Sequence, residues 1–176
     1  MKQSKHNIYY SPKEVRTILE RSIDTALDGL KCYCNDPVSD FTRCRKLPAR
    51  SLIECIMSFS NYSSIGELSH FFVGQGEMPS ASALSQRRQL LDPDIFKRIN
   101  NLFVSAFDDH TTINGYHILA QDGSDVNIPF MDDKTKTEKH DAKSFCQYHV
   151  NALYDCLNKV FYDWSIDAAS KKREVN

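Results

Sequence analysis

Tyr116-His117-Ile118-Leu119-Ala120-Gln121-Asp122-Gly123-Ser124-Asp125 is where the chain changes character. Before it, apolar residues recur at three- and four-residue spacing. Here a short apolar run over residues 116–120 suits a strand that ends in a polar, turn-like segment. Downstream, residues 147–154 and 160–166 alternate in the same two-residue rhythm. Asp155-Cys156-Leu157-Asn158-Lys159 between them suits a hairpin turn. The second region therefore reads as three strands, the last two an antiparallel pair. Residues 132–144 are charged and read as a solvated loop. Residues 168–174 resemble the first turn of another helix.

Upstream, Ser11-Pro12-Lys13-Glu14 carries a capping serine, a proline suited to the first helical position and a glutamate that completes a capping box. Val15, Ile18, Leu19, Ile23, Ala26, Leu27 and Leu30 follow at helical spacing. A second helix is expected from about Pro48, with Leu52, Ile53, Ile56 and Met57 on one face. A third should start at Ser64 and bury Ile65, Leu68, Phe71 and Phe72. Gly74, Gly76 and Pro79 interrupt the chain before a fourth helix near Ser80. A fifth follows Asp92-Pro93, with Ile95, Phe96, Ile99, Leu102, Phe103 and Ala106 inward. Five amphipathic helices should pack as one bundle. The fold class is thus α+β: a helical domain over residues 1–110, then a strand-rich domain over 111–176 that reads as incomplete. Three strands with no covering helix leave a sheet face wet.

At 176 residues, with 41% hydrophobic and 26% charged residues, the composition is that of a globular protein. No apolar run approaches the roughly 18 residues that span a bilayer, and the first residues lack a signal-peptide core. These features place the chain in the cytoplasm, with no membrane partner. The six cysteines then read as reduced thiols. Cys32, Cys34 and Cys44, with His6 or His70, lack the paired spacing of a structural zinc site.

Formal net charge is −1, so bulk charge selects no partner. Residues 1–110 hold 14 Lys and Arg against 13 Asp and Glu; residues 111–176 hold 8 against 10. Positive charge clusters at Arg43, Arg45, Lys46 and Arg50, and again around Arg87 and Arg88. Four cations within eight residues beside a helix start suit phosphate contacts, although basic runs also serve as solvated surface. Ser80, Ser82, Gln86, Arg87 and Arg88 lie on a helix that follows a helix and a loop, a placement that suits a major groove. In the second region Asp122 is the candidate metal ligand, for Mg²⁺ or Mn²⁺. A carboxylate fixed by a strand takes hard cations, and Gly123 allows a close approach by backbone or phosphate. The same pair equally suits a plain turn. Asp125 reads as a rival ligand or a turn cap, and His149 as a strand residue able to approach Asp122. No nucleophile–His–acid set, phosphate loop or dinucleotide fingerprint occurs.

Four blocks in order resemble the DDE transposases of bacterial insertion sequences, in the insertion-sequence-four group. Asp40-Phe41-Thr42-Arg43-Cys44-Arg45-Lys46-Leu47-Pro48 resembles the entry to the N-terminal helical domain of that family. The stretch from Pro79 to Arg88 resembles its next block. Residues 118–129 are similar to the block bearing the first catalytic aspartate, which falls on Asp122, and residues 149–155 to the strand that follows. Together the blocks span about residues 40–160. The resemblance implies an RNase H-like catalytic domain in which Asp, Asp and Glu hold two divalent metal ions. It also implies double-stranded DNA with terminal inverted repeats as partner, and a bacterial, nucleoid-associated setting. The second aspartate and the glutamate, with its tyrosine, arginine and lysine signature, are not found here. One carboxylate does not bridge two metals, so Mg²⁺ should bind weakly or not at all. The expected residual activity is binding of transposon-end DNA by a truncated or split transposase, as a homodimer or beside a full-length copy. The alternatives are a stand-alone DNA-binding regulator derived from a transposase, and a protein-interaction bundle without a DNA role.

Overall fold

The computed structural model describes residues 10–43, 46–107, 111–129, 136–137 and 145–168. The chain divides into two compact units, one formed by Tyr10–Phe103 and one by the residues from Val104 onward.

The first unit holds α1 (Pro12–Asp28), α2 (Ala49–Met57), α3 (Ser64–Phe71), α4 (Ala81–Gln89) and all but the last two residues of α5 (Asp94–Ser105). The capping box at Ser11 and Glu14 forms as the sequence indicates, with the Ser11 N–H donating to Glu14 at 2.7 Å. Ile23 and Ala26 from α1, Leu52, Ile53 and Cys55 from α2, Leu68, Leu84, and Ile95 and Ile99 from α5 meet in one apolar core. Burial of that surface is the main driving force for this unit.

Three helices depart from the sequence reading. α3 is capped by Ser63, whose hydroxyl accepts from the Gly66 N–H, and Ile65 is 61% exposed rather than buried. Glu67 turns inward, and its Oε1 accepts from the Ser60 and Tyr62 amides at 2.9 and 2.8 Å, fixing the loop before the helix. α4 has no continuous apolar stripe; its buried residues are Leu84 and Arg87. In the fifth helix, Ala106 lies past the end and is exposed.

The second unit is a sheet of β1 (Leu119–Ile128), β2 (Lys136–Thr137), β3 (Phe145–Asp155) and β4 (Val160–Ala168). β3 is central and antiparallel to all three neighbours. Cys146 pairs with Ile128 on one side and Lys136 on the other, so β2 shares the β4 side of β3. The short β2 falls within the segment read as a loop. The first strand is longer than expected and shifted along the chain: it runs to Ile128 and takes in Gln121–Asp125, which the sequence presents as turn-like. Asp122 therefore stands mid-strand, opposite Ala152.

The β3–β4 hairpin turn falls where the sequence places it. Asp155 is its hub and is 1% exposed. Its Oδ1 accepts from the Leu157 and Asn158 amides, and its Oδ2 from the Asn158 side chain at 2.7 Å and from His117 Nδ1 at 3.1 Å. Asn158 in turn holds both the N–H and the carbonyl of Thr111.

Candidate functional site

In the helical unit the structure brings together two segments far apart in sequence, residues 39–47 and α4. The Asn35 amide donates to the Leu90 carbonyl at 3.1 Å and the Asp92 amide to Tyr33 at 2.8 Å, lashing the loop after α1 to the end of α4. Arg87 completes the joint. It is 8% exposed, its Nε donates to the Leu47 carbonyl at 3.1 Å, and its guanidinium stands 4.1 Å from the centre of the Phe41 ring. An arginine stacked on an aromatic face and bonded to backbone is a fastener between segments. Phe41 itself adopts φ 55°, a left-handed conformation uncommon for a bulky residue and held here by its surroundings.

Two hollows flank this joint. One, of about 680 Å³, is bordered by Lys46, Met78, Ser80, Gln86 and Arg87. The other, of about 390 Å³, is bordered by Asp40, Thr42, Arg43, Gln86 and Arg87. Ser80 caps α4 through its hydroxyl, which accepts from the Ala83 N–H at 3.1 Å. Ser82, Gln86 and Arg88 are each exposed.

The remaining sequence candidates divide by environment. Lys46 is exposed and paired with exposed Glu77, whose carboxyl the Lys46 hydrogen bond and charge hold below the usual range. Arg50 bonds both Glu54 and Asp24, so two carboxylates already match its charge. Arg43 is exposed. Arg45 and Cys44 lie outside the described residues, as does His6 of the zinc set. Cys34 donates to the Leu30 carbonyl, and burial followed by the nearby Asp40 charge pushes its thiol up.

In the sheet, opposed residues share a face and alternate along each strand. Asp122, Ala152 and Trp164 lie in one cross-strand row. Val126, Val150 and Ile166 stand on that same face, and Val126 and Ile166 are 47% and 58% exposed. The Asp122 carboxylate accepts from the Gly123 N–H at 2.9 Å. Asp125, three residues on, points to the other face, as does His149.

These two side chains form a cluster that the sequence did not reveal. His149 Nδ1 donates to Asp125 Oδ1 at 2.6 Å, and its Nε2 faces Asn151 Oδ1 at 3.2 Å. The ring lies over Gly123: a Cβ there would come within 2.9 Å of His149 Cε1 and Nε2. The open space beside Gly123 is thus filled by an imidazole and does not admit a phosphate. The His149 ring does not approach Asp122, because the two lie on opposite sides of the sheet.

Compared with known proteins, the chain matches no family model, no curated protein and no solved structure. Among the described residues no three His, Cys, Asp or Glu side chains converge as a metal site. Asp122 stands on an apolar face, with Asp125 directed away. The described residues do not fit the pair of divalent ions that the transposase resemblance implies. Among them, no helix is long and apolar enough to cross a membrane.

Proposed function

We propose that the helical unit binds double-stranded DNA, and that the chain derives from a DDE transposase of the insertion-sequence-four group. One observation carries this reading. The two helical-region blocks on which the resemblance rests, residues 40–48 and 79–88, are fastened to each other through Arg87, Leu47 and Phe41. Beside that joint, Lys46, Ser80 and Gln86 border one hollow and Arg43 and Gln86 the other, while Ser82 and Arg88 are exposed on α4. A surface built on rigid packing and carrying cations beside neutral hydrogen-bonding groups suits a phosphate backbone and base edges. The sheet supports the RNase H-like part of the reading more weakly: it is antiparallel, with Asp122 on its first strand.

The geometry favours binding over chemistry. Asp122 has no second carboxylate beside it among the described residues, so a stand-alone DNA-binding regulator descended from a transposase is the second reading. Both predict the same first experiment. Polarisation of a fluorescently labelled duplex, titrated with the protein at rising salt, should give log Kd linear in log salt. Arg43→Ala should lower that slope by about 0.9, one phosphate contact. Absence of salt-dependent binding would sink the proposal. Mg²⁺-dependent strand cleavage by this chain, abolished by Asp122→Ala, would sink the restriction to binding.

A further inference from the structure

Resting on the DNA-binding reading above, we infer that recognition is divided among four neighbours: Gln86 reads a base, Arg43 and Lys46 hold the backbone, and Arg87 works inside as a brace. The sequence sets Gln86 and Arg87 together on one groove-facing helix; the structure separates them.

Arg87 and Gln86 are adjacent on α4, yet their side chains have opposite fates. Arg87 is buried against Leu47 and Phe41. Gln86 is exposed and is the outward side chain common to both hollows. It stands on the ridge between them, with Lys46 bordering one and Arg43 the other. Its own tie is weak: Nε2 lies 3.4 Å from the Ser82 hydroxyl, one helical turn back. An amide on a ridge, flanked by a cation on each side, can enter a groove while the cations meet the two phosphate walls. Glutamine offers a donor and an acceptor together, the pair that adenine presents at N6 and N7 in the major groove. Arginine and lysine at the flanks supply charge without sequence information. Asp40 borders the Arg43 hollow and Glu77 pairs with Lys46, so the surface is only modestly positive. Sequence preference must then come from the ridge.

The test is selection from a pool of double-stranded oligonucleotides with a randomised centre, followed by salt titration on the enriched duplex. The wild-type protein should enrich a motif containing adenine. Gln86→Ala should lose that adenine preference, about 5- to 150-fold at one position, with an unchanged salt slope. Arg43→Ala should keep the motif and lower the slope by about 0.9. Circular dichroism of Gln86→Ala should match the wild type, since the side chain is exposed. If Gln86→Ala enriches the same motif, the assignment of Gln86 is overturned while DNA binding stands. Salt-sensitive binding without any enriched motif overturns it as well. If the wild-type protein binds no duplex, the underlying reading fails and the inference falls with it.

Discussion

Replacing Gly123 by alanine tests the sheet's polar cluster directly. In an ordinary strand the change should help, by about 0.5–1 kcal/mol, because alanine loses less backbone freedom on folding. Here the new methyl would sit 2.9 Å from two ring atoms of His149 and 3.1 Å from Asn151 Oδ1. Those contacts are too close to persist. Displacing the ring forfeits its 2.6 Å hydrogen bond to Asp125, a bond to a charged group worth about 1.5–3 kcal/mol. Overpacking adds about 1–3 kcal/mol if the ring stays. The protein relaxes along whichever route costs less, so a net loss of about 1–2 kcal/mol is expected after the backbone gain. Urea unfolding followed by fluorescence of Trp164, the chain's single tryptophan, reports on the sheet. His149→Ala removes the obstacle, so Gly123→Ala in that background should be neutral or stabilising. The coupling between the two sites should exceed about 1 kcal/mol. Equal effects of Gly123→Ala in both backgrounds would refute the idea that the glycine exists to seat the ring.

Three further outcomes are expected. Arg87→Ala should destabilise the helical unit by about 2–4 kcal/mol, from the lost backbone bond and aromatic stacking; Arg87→Lys should recover little of it in a thermal melt followed by circular dichroism. For Asp155, burial pushes the carboxyl up, but the hydrogen bonds from Asn158, His117 and Leu157 outweigh it and hold the group below the usual range. Its contribution is then full above the unfolded value of about 4 and lost as pH falls through the lower folded value. Asp155→Asn should flatten the acid limb of a Trp164-monitored stability curve, and an unchanged limb would count against that hub. Glu77→Gln should tighten duplex binding a few-fold at low salt by releasing Lys46 from its exposed pair, with the gain vanishing at high salt; a gain that survives high salt would mean another cause.

The helices were legible because their signals are local. Ser11-Pro12-Lys13-Glu14 specifies a helix start within four residues, and Ile95, Ile99 and Leu102 mark an inward face without outside help. α4 was legible as a helix but not in its orientation. Leu84, Arg87 and Leu91 share the core spacing, yet an arginine reads as surface until the aromatic ring beneath it is known. The first strand was misplaced for a related reason. Its residues are exposed on both faces almost to the end, so no apolar alternation marks it. Pairing with β3 defines it, and that pairing is long-range. The Asp125–His149 bond was hidden in the same way, since twenty-four positions separate its partners. The turn at Asp155 did carry a local signature, an Asp followed three residues later by Asn, but nothing in the sequence marked that carboxylate as buried.

The unequal connections around β3 also set an order of events. β3 and β4 are joined by a tight turn, whereas β1 reaches β3 only across residues 129–144. Closing the shorter loop costs less entropy, so the hairpin should nucleate and β1 should dock onto it afterwards. The reverse holds on opening. A strand exposed along almost its whole length gives up little buried surface when it leaves, so its amides should exchange with solvent before those of the hairpin. The carboxylate at position 122 thus rides on the part of the sheet that arrives last and departs first.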